Sequence, residues 1–72
     1  MNVIKYTINI EINKEDWSNL EFEERRKNEN NGVWQYKGKL YIDNKYISYE
    51  EGGSEAYIIQ EFCNKIYNEI IE

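Results

Sequence analysis

Apolar and polar residues alternate strictly at the start of the chain. In "VIKYTINIEI", Ile4, Tyr6, Ile8, Ile10 and Ile12 share one face of an extended chain, and Lys5, Thr7, Asn9 and Glu11 share the other. Period two with β-branched residues predicts a half-buried strand. Its register is well defined, because a one-residue slip would turn five apolar side chains to water.

The next segments carry mixed signals. In "NKEDWSNL", Asn13 can cap a helical turn, Glu15 and Asp16 suit its positive end, and Trp17 and Leu20 share a face. One or two turns of helix are expected there. Leu20–Lys27 suits either a short edge strand or a helix continuing from Trp17. The strand is preferred, because "NENNG" (28–32) reads as hairpin-turn chemistry.

"GVWQYKGKLYIDNKYISY" reads as a meander with tight turns at Lys37-Gly38 and Asp43-Asn44. Opposed residues share a face. That register sets Trp34 opposite Tyr41 and Tyr41 opposite Tyr46, giving an aromatic face of Trp34, Tyr36, Lys39, Tyr41, Tyr46 and Ser48. The aliphatic face then holds Val33, Gln35, Leu40, Ile42, Ile47 and Tyr49.

The last segment has a helical period. Ser54 is the expected N-cap, with Glu55 in the first turn. Ile59, Phe62, Cys63, Ile66 and Ile70 form an apolar stripe, broadened by Ile58, Tyr67 and Ile71, which needs a sheet beneath it. Together these elements predict a single α+β domain over residues 1–72. An antiparallel sheet of meander and N-terminal strand packs against one C-terminal helix, with a short helical turn after the first strand. The aliphatic face is expected under the helix and the aromatic face at least partly free.

Composition narrows the function. Cys63 is the single cysteine of 72 residues, so no internal disulfide supports this small domain. No apolar run reaches the length of a membrane span, and the N-terminus lacks the apolar core of a signal peptide. The expectation is a complete chain of the cytoplasm. The Ile, Asn, Lys, Glu and Tyr bias suggests an AT-rich bacterial or phage genome.

Net charge is −5, and all of it lies beyond residue 49. Residues 25–45 are locally basic, with Arg25, Arg26, Lys27, Lys37, Lys39 and Lys45 against Glu29 and Asp43. Such asymmetry bears on partners rather than on fold.

Candidate chemistry is sparse. The chain has no histidine, hence no imidazole base, nucleophile–His pair or imidazole metal ligand. Cys63 falls within the helix stripe and reads as a small core hydrophobe. No cofactor or metal site is expected, and neither is an enzyme. "GGSE" could hold a phosphate on free N–H groups, but Glu50, Glu51 and Glu55 oppose an anion there.

Two surfaces remain. The aromatic and basic face (Trp34, Tyr36, Lys39, Tyr41, Tyr46) could stack bases or bind protein. The acidic surface (Glu50, Glu51, Glu55, Glu61, Glu69, Glu72) could meet a basic groove on another protein and occupy a site that otherwise holds nucleic acid. The leading expectation is a non-enzymatic protein-binding module. By size and charge it is like the small phage or mobile-element inhibitors that target bacterial nucleic-acid-handling defence proteins, such as anti-CRISPR-type inhibitors. Direct nucleic-acid binding by the basic-aromatic face is the alternative, and self-association into a homodimer is a third reading.

Overall fold

The computed structural model describes residues 2–71; Glu72 lies outside them. The fold is α+β. Strand β1 (Ile8–Lys14) is followed by a 3-10 turn (Trp17–Asn19) and helix α1 (Phe22–Asn30). Strands β2 (Tyr36–Ile42) and β3 (Lys45–Gly52) and helix α2 (Glu55–Ile71) complete it. The sheet is antiparallel with order β1-β2-β3.

The first strand begins later than the alternation predicts. Residues 2–7 lie outside the paired part of the sheet, and Thr7 is tied at their base to Asp43. Val3 and Ile4 stand well exposed on this arm. Alternation reports which face a residue shares. It does not report how far the partner strand reaches, and β2 ends at Ile42.

The 3-10 turn is capped by Asp16, not Asn13. The Ser18 hydroxyl, the Ser18 N–H and the Asn19 amide all donate to the Asp16 carboxylate. The hydroxyl bond and then the backbone bond hold the Asp16 carboxyl below its usual range. Trp17 is buried.

Leu20–Lys27 is not a strand. Helix α1 occupies Phe22–Asn30, with Glu23 and Glu24 in its first turn and Lys27 in its last, as the helix dipole favours. Its end explains the misreading of "NENNG". Gly32 has φ +77°, Val33 N–H donates to Asn28 O (2.7 Å), and Gly32 N–H donates to Glu29 O (3.1 Å). That is a Schellman stop with glycine in the left-handed position. Asn and Gly serve helix ends and hairpin turns alike, so the same residues carried both readings. α1 buries no side chain and packs substantially on neither sheet nor α2.

The turn at Asp43-Asn44 forms as expected, with φ of 51° and 66°. The turn at Lys37-Gly38 does not exist. β2 runs straight through both residues, and Gly38 faces α2. A Cβ there would lie 2.8 Å from Ile58 Cγ2 and 3.0 Å from Phe62 Cε2. The glycine therefore lets the helix settle closely onto the middle strand.

Leu40, Ile58 and Phe62 are fully buried and form the centre of the core. Ile10, Ile12, Tyr36, Ile47 and Ile66 pack around them. Ser54 caps α2 through its hydroxyl oxygen, which accepts from Tyr57 N–H at 3.2 Å. The helix is rotated relative to the expected stripe. Ile58 and Phe62 point at the notch left by Gly38, so Ile59, Tyr67 and Cys63 turn outward and are exposed. Cys63 is thus a surface thiol, not a core residue.

Candidate open sheet face

Because α2 covers one side of the sheet, the other side is defined by register. Asn9, Glu11 and Asn13 of β1 oppose Tyr41, Lys39 and Lys37 of β2. Those three oppose Tyr46, Tyr49 and Glu51 of β3. Opposed residues point the same way, so these nine side chains form one surface, which no described helix covers.

Three residues of the expected face, Tyr36, Trp34 and Ser48, are not on it, and Tyr49 is. Tyr36 lies on the helix side, against the core, with Lys14 Nζ 5.8 Å from its ring centroid. Trp34 lies outside β2. It lines a surface hollow of about 500 Å³ with Glu51, Gly52, Gly53, Ser54 and Tyr57. Tyr49 joins the open face and Ser48 leaves it.

The cause is a β-bulge. Tyr41 pairs with Tyr46 but Leu40 pairs with Ser48, so Ile47 is one residue extra on β3. A bulge reverses the in–out phase beyond it. Ile47 packs on the core, Ser48 shares the side of Leu40, and Tyr49 emerges beside Tyr41 and Tyr46. Regular alternation along "YISYEE" contains no sign of this step. The continuous β2 was detectable, because an isolated glycine inside a strand pattern marks a close approach as readily as a turn.

Tyr46 and Tyr49 are exposed, and the rings of Tyr41 and Tyr46 meet edge to face at 5.9 Å. Tyr49 OH donates to Glu51 Oε1 at 2.6 Å. That bond, helped by partial burial, pushes the Tyr49 phenol up to about 12. Each lysine of the face stands opposite a carboxylate: Lys39 opposite Glu11, and Lys37 opposite Glu51. The face is aromatic and locally neutral.

The other expected site residues are scattered. Arg25, Arg26 and Lys27 lie on α1, away from the sheet lysines. Glu50 shares the helix side opposite Gly38, while Glu51 is on the open face. Glu55 and Glu69 are exposed on α2 and Glu61 is half-buried. Since α2 covers the opposite side of the sheet, its solvent face and the tyrosine face look in opposite directions. Among the described residues, three or more potential metal-ligating side chains do not gather anywhere, and no helix is long and apolar enough to cross a membrane.

No protein-family model matches this chain, and neither does any curated protein or any solved structure.

Proposed function

We propose that this chain is a non-enzymatic protein-binding module that docks a partner protein on its open sheet face. One observation carries the reading: Tyr41, Tyr46 and Tyr49 stand together on an uncovered sheet, framed by lysine–carboxylate pairs in register. Tyrosine gives rigid, amphipathic contact area at low entropic cost, and exposed aromatic patches mark interaction sites. The opposed charges set orientation.

The same pairing argues against nucleic acid as the ligand. Phosphate binding needs uncompensated cations. Here Lys37 and Lys39 each face a carboxylate across the strand, and the whole chain carries −5. The Tyr41–Tyr46 edge-to-face pair also commits one ring's edge to the other's face.

The acidic outer side of α2 cannot touch the same flat partner surface as the tyrosines. Its role in this reading is long-range attraction of a basic partner. A nucleic-acid-handling protein has that charge, and inhibition of such a protein by a mobile-element product is the specific form proposed.

A photo-reactive residue at Tyr46 tests this, with the same probe at Asn64 on α2 as control. Protein adducts at Tyr46, absent at Asn64, are expected in a bacterial lysate. Adducts that vanish on nuclease treatment would overturn the reading in favour of nucleic acid.

A further inference from the structure

We propose that two copies of this chain pair edge to edge through β1, antiparallel and centred on Ile8, to form one continuous six-stranded sheet. The free edge comes first. Glu15 N–H donates to Gln35 O and Asp43 N–H donates to Thr7 O, both at 2.8 Å. In an antiparallel ladder a residue turns both backbone groups the same way. The odd-numbered residues of β1 therefore face β2, and Ile8, Ile10, Ile12 and Lys14 direct theirs outward. Among the described residues no strand meets that edge. Neither proline nor a bulge protects that edge, since the chain has no proline and the sheet's bulge lies in β3, at the opposite edge.

The arm comes second. Residues 2–7 continue the period of β1 past the end of β2, with Val3 67%, Ile4 79% and Tyr6 48% exposed. Folded alone, the chain leaves this apolar segment in water.

The sequence selects the occupant. Reversed about Ile8, the strand complements itself. Ile4 meets Ile12 of the second copy, Tyr6 meets Ile10, and Ile8 meets its own counterpart, all on the helix side. Lys5 meets Glu11, and Thr7 meets Asn9, all on the other side. Every apolar residue from Ile4 to Ile12 finds an apolar one, and within that span the one cation, Lys5, finds the one carboxylate, Glu11, twice. This register pairs even-numbered residues with even-numbered residues, as the outward-pointing groups of the edge require. Moving the centre to Ile10 would set Ile4 opposite Asp16, past the end of β1. A two-fold axis normal to the sheet places both α2 helices on the same side. Each lies mainly over its own β2 and β3.

The tyrosines of the open face lie on β2 and β3 and take no part in this pairing. The dimer would present that face twice, on one side of one sheet.

Light scattering on the full chain should give twice the one-chain mass of 8.8 kDa. Deleting residues 2–5 should raise the dimer dissociation constant about tenfold or more, with the far-UV circular dichroism of the core retained. In a Cys63→Ser background, Ile8→Cys should form a disulfide-linked dimer on mild oxidation, because opposed hydrogen-bonded residues bring Cα atoms to about 5.5 Å, within disulfide range. Ile12→Cys in the same background should not. A one-chain mass at about 100 µM would overturn the proposal. So would a dimer indifferent to the deletion, or cross-linking at Ile12 instead of Ile8.

Discussion

Gly38 sits directly beneath Ile58: a methyl group added to the glycine would lie 2.8 Å from the isoleucine's Cγ2. The middle strand thus accepts the helix only because one position has no side chain. Gly38→Ala must push α2 away or displace the fully buried Phe62 as well. A loss of about 1–3 kcal/mol is expected, read as a lower urea midpoint at unchanged slope. An unchanged midpoint would mean that α2 does not approach β2 this closely.

The two tryptophans should report opposite environments. Trp17 is 7% exposed and Trp34 37%. Acrylamide should quench Trp34 strongly in the Trp17→Phe variant and quench Trp17 weakly in Trp34→Phe. Equal quenching would contradict the burial of the 3-10 turn.

Tyr49 should ionise late. Its folded value of about 12 exceeds the ordinary value of 10.0, so the fold favours the neutral phenol. The stabilisation is complete below about pH 10 and is lost as pH rises through about 12. Absorbance at 295 nm should show one late-titrating tyrosine that disappears in Tyr49→Phe and moves earlier in Glu51→Ala. A wild-type curve without that late step would refute the Tyr49–Glu51 bond.

At the acid end the sign reverses. The Asp16 carboxyl is held below its ordinary value by Ser18. Its contribution is present above the unfolded value and is lost as pH falls through the folded one. Asp16→Asn should flatten the acid limb of stability against pH, and Ser18→Ala should do so in part. Denaturant midpoints measured from pH 6 down to pH 2 test this, and a limb unchanged in Asp16→Asn would rule it out.

Gly32→Ala places a side chain at φ +77°. The cost should be about 1 kcal/mol, and it should fall locally. Because α1 is scarcely packed on the rest, hydrogen exchange should speed up at the α1 amides and leave those of β2 unchanged. Faster exchange in β2 would show that α1 supports the sheet.

The class of fold was legible because its strongest signals are periodic and local. The isoleucine row from Ile4 to Ile12, the Asp43-Asn44 turn and the Ser54 cap each follow from a few neighbouring residues. What failed depended on context. "NENNG" ends a helix because Glu23, Glu24 and Lys27 suit the dipole of the turn before it. Gly38 is a packing notch only when Ile58 and Phe62 stand above it. The open face is half legible: the alternation places Lys39, Tyr41 and Tyr46 together. Tyr36 lies on the other side because the turn that Lys37-Gly38 suggests does not form. Tyr49 joins the face through a bulge, whose position is set by how β3 meets β2 and not by β3's own residues.

The single extra residue at Ile47 makes β3 behave like a reading frame. With it in place, Tyr49 and Glu51 stand opposite Lys39 and Lys37 on the open face. Straightening the strand with every residue kept would slide each later partner by one, so that Tyr49 and Glu51 turned toward the helix and Ser48 and Glu50 surfaced in their place. Deleting Ile47 would instead keep those partners and faces, at the loss of one side chain packed on the core. The tyrosine surface is therefore spelled by a count of residues as well as by their identity.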